Sequence, residues 1–236
     1  MTFLVAGIAH ASLAGAAFAI FISYYSTMPF HPLLGALFFG IIMASIIGYF
    51  SSRTEEHEKV EIAIGISFAI SMSLAILFIS MIREYASQAW GLIMGDLLLL
   101  TLIDILLMII ISSITVVIIV IFYKEFLFIS FDIEGAYSVG IKVALYNYIM
   151  LILATLAVVV LLKGVGAILI YVILVIPAAA ANNIAKTASQ TLIYATLFAL
   201  ISGLLGLIIS LFIDVAPSAL TGIIATLIYV ITLSKR

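Results

Sequence analysis

A histidine inside the first apolar stretch of the chain is the residue whose position best suits chemistry. His10 lies in the run from Gly7 to Gly15, and no Asp, Glu, Lys or Arg occurs between Met1 and His31. An imidazole at membrane depth needs a hydrogen-bond partner on a neighbouring helix or a wet cavity, because lipid offers it no partner. Neutral imidazole also binds transition-metal ions. His10 is therefore the first candidate ion ligand, and a hydrogen bond to a neighbouring helix is the alternative.

Two aspartates near the start of the fourth apolar stretch are the next candidates. Asp96 stands where a carboxylate favours a helix N-terminus, so it is a helix cap, a group that attracts cations or a contact for an external partner protein. Asp104 shares one helix face with Leu97, Thr101 and Met108, and we expect it to face the helix bundle. It is a candidate ion ligand there, and a hydrogen bond from Thr101 is the alternative.

The other polar residues favour structural interpretations. Asp214 and Pro217 precede the last apolar stretch and are typical of a turn or helix cap. His31 falls in a proline-rich connection, where we expect a solvated side chain. His57 lies within a run of glutamates that could weakly bind a cation, but such a charge run is normally a solvated loop.

The composition defines the elements that must position these residues. Of 236 residues, 67% are hydrophobic and 8% are charged, against roughly a quarter charged in an ordinary soluble domain. This predicts an all-α, polytopic membrane protein. The chain has no cysteine, which excludes disulfides and thiolate metal sites, and it has no basic face for nucleic acid. It also lacks a phosphate-binding loop, so any ATP must be bound by a partner.

Spacing and charge predict the membrane topology. Crossing a bilayer core takes about 20 apolar residues, and eight segments qualify: 3–24, 32–50, 61–82, 97–122, 142–162, 164–181, 191–212 and 217–233. Lysine and arginine collect on the cytoplasmic side of membrane proteins. With eight spans, two of these residues, Arg83 and Lys163, fall on one side, and seven fall on the side of both termini. The termini are therefore expected in the cytoplasm.

The longest connection on that expected cytoplasmic side, residues 123–141, has features of a short helix. Asp132 and Glu134 suit its start, where carboxylates favour the helix dipole, and Gly140 suits its end. Its apolar side includes Phe131, Ala136 and Tyr137. A segment too short to span must dock on the membrane surface or on a partner, and the pattern alone leaves both open.

Taken in order, these segments resemble the permease subunit of the zinc, manganese and iron ATP-binding-cassette importers of bacteria and archaea. No single stretch is specific, but together they cover nearly the whole chain as one membrane domain, 1–236. The matching stretches are 7–15, 61–66, 95–98, 131–140, 165–179 and 214–217.

The resemblance implies a homodimer in the prokaryotic plasma membrane, with a separate cytoplasmic ATPase and an extracytoplasmic metal-binding protein. It implies that the chain is not itself an enzyme and holds no permanent cofactor, and that zinc, manganese or iron is the transported ion. Residues 131–141 would be the coupling helix that docks into the ATPase. The expected ATPase contacts are Phe131, Asp132, Glu134, Gly135, Tyr137 and Gly140, and the expected contacts with the binding protein are Asp214 and Pro217.

The chain departs from this family in two places. The family's pathway helix usually carries an aspartate four residues before its histidine, so that both side chains share a helix face and bind the ion together. Here that position is Ala6. The family also usually has an additional apolar segment before this helix, and we expect this chain to lack it. His10 is thus half of the expected site.

Two other functions compete with metal import by an ATP-driven complex. An ion-coupled secondary transporter is suggested by Asp96, Asp104 and the helix kink expected at Pro177, but no convincing inverted repeat supports it. An intramembrane enzyme is disfavoured, because the chain has neither a Gly-x-Ser-x-Gly turn nor a histidine paired with an aspartate at metal-site spacing.

Overall fold

A computed structural model of the chain is all-helical over the residues it describes, and it confirms the predicted all-α membrane class. The described residues are 2–26, 30–53, 57–82, 91–95, 100–213 and 215–234. In chain order their helices are α1 (Thr2–Tyr25), α2 (Pro32–Arg53), α3 (His57–Met81), α4 (Leu102–Ile121), α5 (Tyr123–Phe131), α6 (Ile133–Ser138), α7 (Val143–Val165), α8 (Ala167–Ile184), α9 (Ala188–Ser210) and α10 (Pro217–Leu233).

Among these described helices, six are long and apolar enough to cross a membrane, namely α1, α2, α3, α4, α7 and α9. The apolar parts of α8 and α10 are shorter, 169–184 and 217–233. Two predicted boundaries were wrong. The fourth long helix begins at Leu102 instead of residue 97, because Thr101 caps it. The break expected at residues 163 and 164 falls at Gly166, whose positive φ of 85° ends α7.

Helix α1 is apolar on all sides and is the central helix of the bundle, as that pattern requires. It packs against α2, α3, α7 and α8, and Ile8 and Leu13 are fully buried within its core. Small residues let the backbones approach closely. A methyl group on Gly15 would collide with the carbonyl of Gly35 on α2, and the reverse also holds.

Long-range contacts define the two ends of the bundle. At one end, which we call the His31 end, the turn ending at Gly95 (φ 79°) packs against the α7–α8 junction at Gly166, and a side chain on either glycine would collide with the other segment's backbone. At the opposite end, the Tyr123 end, the Tyr123 hydroxyl lies 2.9 Å from Ser189 Oγ. The α5 and α6 helices follow α4 at this Tyr123 end.

Candidate functional site

His10 lies two turns into α1, counted from its first residue, and its ring is half-buried. Nδ1 lies 2.9 Å from the backbone carbonyl of Ala6. Because a carbonyl only accepts, Nδ1 must carry the proton, which leaves the lone pair of a neutral ring on Nε2. The ring also packs against Phe68 of α3, with 4.3 Å between centroids. The expected alternative, a hydrogen bond to a neighbouring helix, is absent among the described residues, since this bond is to a carbonyl of α1 itself.

No group of three His, Asp or Glu side chains within the described part of the chain could hold a metal ion. His10 is therefore one candidate ligand in this chain and not a preformed metal centre. An imidazole with a free Nε2 suits a transient contact with a borderline ion, because tight binding would prevent release.

Asp104 occupies the first turn of α4 and is fully buried, as its predicted helix face required. It lies closer to the helix end than the predicted span implied, because α4 starts five residues later. Thr101 is the N-cap, and its backbone N–H and hydroxyl donate to Asp104 Oδ2 at 2.8 and 2.6 Å. The hydrogen bond from Thr101 that the sequence offered as an alternative is thus present.

Two basic side chains face the same carboxylate. The Lys163 ammonium, in the last turn of α7, lies 2.5 Å from Asp104 Oδ2. His31 Nε2 lies 3.5 Å from Oδ1, an oxygen that forms no hydrogen bond among the described residues. His31 Nδ1 accepts the Leu33 N–H at 3.3 Å, so a neutral ring carries its proton on Nε2, towards Asp104. The expectation of a merely solvated His31 was wrong.

Sequence reasoning used Lys163 only for topology and missed its partner. Lys163 stands alone at the end of an apolar stretch, and a charge in that position needs a counter-charge. The sequence therefore already indicated an acidic partner for it. The other two predicted carboxylates, Asp96 and Asp214, lie outside the described residues. Pro217 is the first residue of α10, a position that suits proline because no helical N–H is lost there.

The segment 131–141 contains a turn and a short helix, and not one continuous helix. Phe131 ends α5, and Asp132 caps α6 by accepting the Gly135 N–H at 2.8 Å. Gly140, with φ 84°, follows the end of α6. Ala136 is buried against Ile129 and Val143, which fixes the helix on the bundle.

The opposite side of this segment is open. Phe131, Tyr137 and Val139 are 78%, 60% and 71% exposed, and Glu134 is also exposed. Large apolar side chains that point outwards on and beside a capped helix form a surface suited to a membrane or a protein partner. We call residues 131–141, which are expected from the sequence to dock into an ATPase, the coupling segment.

The whole chain matches known proteins. The profile of the ABC 3 transport family matches residues 1–236. The manganese transport system membrane protein MntC of Listeria monocytogenes is 33% identical over 224 residues, covering 95% of this chain and 77% of that protein. The high-affinity zinc uptake system membrane protein ZnuB of Haemophilus influenzae is 26% identical over 229 residues, covering 97% and 85% of the two chains.

A solved structure agrees with these sequence matches. One chain of PsaBC from Streptococcus pneumoniae, in complex with Fab, has a TM-score of 0.84 and 27% identity, covering 98% of this chain and 80% of that one. The shared fold and the match along the full sequence agree on one assignment. The chain belongs to the ABC 3 transport family and is a membrane permease of the metal ATP-binding-cassette type.

Proposed function

We propose that this permease imports manganese or zinc, with iron as a third candidate, as a homodimer driven by a separate cytoplasmic ATPase and supplied by an external metal-binding protein. The observation that carries the proposal is the match to a manganese transport system membrane protein over 95% of the chain. In this arrangement the termini and the Tyr123 end face the cytoplasm, and the His31 end faces outwards. Asp214 and Pro217, on either side of the start of α10, would contact the binding protein.

The coupling segment supplies the surface that an ATPase partner needs. Its exposed residue Tyr137 projects from α6, the helix that Asp132 caps and that Ala136 anchors to the bundle, and the exposed Phe131 projects from the end of α5 just before it. A rigid mounting of this kind transmits movement of a docked partner to α5 and α7, the helices on either side. Glu134, exposed beside it, adds a charge at the rim of the contact.

His10 is the residue that we assign to the ion pathway. It offers one free imidazole nitrogen, and in a homodimer with two-fold symmetry a second copy of His10 is available to the same pathway. Asp104 already holds the Lys163 ammonium, so an ion at Asp104 would have to displace that cation. Asp96 would attract cations near the expected outer entrance.

Reconstitution of the permease in proteoliposomes with its ATPase and binding protein tests this proposal. We expect uptake of radioactive manganese or zinc that requires ATP, and His10→Ala should lower its rate at least tenfold without loss of assembly, about 1.4 kcal/mol in the barrier. Uptake driven by a proton or sodium gradient without the ATPase would contradict the proposal and support a secondary transporter.

Tyr137→Glu tests the coupling surface. It should abolish ATP-driven uptake because it places a charge in an apolar contact, while the folded permease persists. Gly135→Glu is less informative, since any side chain at Gly135 collides with the Asp132 carboxylate and disturbs the cap. Phe50→Glu is the matched control, an exposed aromatic in α2 near the same end of the bundle. Equal uptake by the Tyr137 variant and this control would remove the coupling assignment.

A further inference from the structure

Helix α4 is loosely held along most of its length. Of its residues, Asp104 and Thr115 are buried, and the others are exposed or half-buried. Thr115 donates to its own helix, at Ile111 O, so it makes no polar link to a neighbour. The helix packs mainly against α7. Asp104 is therefore the polar attachment that fixes the start of α4 against the rest of the bundle.

This attachment joins separate segments at one end of the bundle. Asp104 belongs to α4, Lys163 to the last turn of α7, and His31 to the residues just before α2. Thr101 holds Oδ2 towards Lys163, while Oδ1 faces His31. A buried ion pair contributes little net stability compared with apolar packing, but it favours one arrangement of the helices over others, because separating it strands a buried charge.

We propose that Asp104 and Lys163 form a clasp that keeps the His31 end of the permease closed, and that their separation lets the start of α4 move away from α7. The clasp consists of this pair, with Thr101 orienting the carboxylate. Its place in a transport cycle rests on the proposed import function. The movement itself does not, and it can be measured without transport.

A reporter of this movement lies beside His31, the residue that faces the clasp carboxylate. Leu33 is 5% exposed, belongs to the main apolar core, and donates its N–H to His31. Because the native chain has no cysteine, Leu33→Cys introduces a single thiol. Its rate of reaction with a water-soluble maleimide, on the full chain in lipid nanodiscs, reports opening of this end. Phe30→Cys, 42% exposed, is the control for reagent access.

Three clasp variants in the Leu33→Cys background distinguish a clasp from a general folding role. We expect Lys163→Met to raise the labelling rate at least about tenfold and Lys163→Arg to leave it near that of the parent. Lys163→Met alone leaves the Asp104 carboxylate without its cation, and adding Asp104→Asn removes that buried charge. The double variant should therefore be more thermally stable than Lys163→Met, while its thiol still labels faster than that of the parent. A return to the parent labelling rate in this double variant would overturn the proposal. If the Lys163→Met and double variants label fast but the native complex takes up no metal, the clasp is supported and the import function is rejected.

Discussion

The imidazole Nδ1 of His10 donates to the backbone carbonyl of Ala6 at 2.9 Å, and the two residues stand one helical turn apart on the same face of α1. This bond fixes the ring, and Nε2 has no hydrogen-bond partner among the described residues. The side chain of Ala6 offers no ligand, so this turn of α1 supplies only a backbone carbonyl.

Ala6→Asp should therefore complete a pair of ligands on one helix face. We expect manganese or zinc to bind about tenfold more tightly, equal to about 1.4 kcal/mol, as measured by isothermal titration of the purified permease. Ala6→Asn is the matched control, with the same shape and no charge. Equal affinities for the two variants would show that position 6 does not face the bound ion.

The contact between Gly15 and Gly35 predicts a packing defect. Gly15→Ala places a methyl group against the Gly35 carbonyl, and overpacking of this kind costs about 1–3 kcal/mol. We expect a lower midpoint in thermal unfolding of the detergent-solubilised protein. The control is Gly65→Ala in α3, where an added methyl meets no atom within 4 Å. If both variants unfold at the same temperature, α1 and α2 are not in close backbone contact there.

Comparing alanine substitutions at Gly166 and Gly140 distinguishes the cost of backbone strain from the cost of a steric collision. Their φ angles are 85° and 84°, so alanine at either site pays the left-handed penalty of about 1–2 kcal/mol. Only at Gly166 would the new methyl also strike the turn that ends at Gly95. Thermal unfolding should show a clearly larger loss for Gly166→Ala. Similar losses would indicate that this turn does not pack on the α7–α8 junction.

The cap at Asp132 should control the order of the coupling segment. Asp132→Ala removes the acceptor for the Gly135 N–H, at a typical cost of about 0.5–2 kcal/mol to the helix. We expect faster hydrogen exchange at the Gly135 amide and weaker ATP-driven uptake. Asp132→Asn keeps an oxygen acceptor and should remain close to the native protein. Unchanged amide exchange in the alanine variant would contradict this role for the cap.

The sequence by itself determined the all-α membrane class of the protein and its family. Hydropathy and length account for the apolar helices, because backbone polar groups in lipid must be satisfied within a helix. Helical periodicity correctly predicted that Asp104 faces the bundle. The preferences of residues at helix ends correctly predicted Asp132 at the start of α6 and Gly140 just after its end. These are local properties of neighbouring residues, so a linear pattern can encode them.

Only the tertiary structure decided which partners these residues meet. Lys163 is 59 residues from Asp104 in sequence, and helical periodicity gives the face of a side chain without naming the helix opposite. The same holds for Gly15 with Gly35, whose contact depends on which helices are neighbours. His31, expected in solvent, became part of the Asp104 cluster because the folding of three separate segments brings a buried carboxylate beside it. Such pairings follow from packing of the whole bundle, where a buried charge needs a counter-charge from any segment within reach.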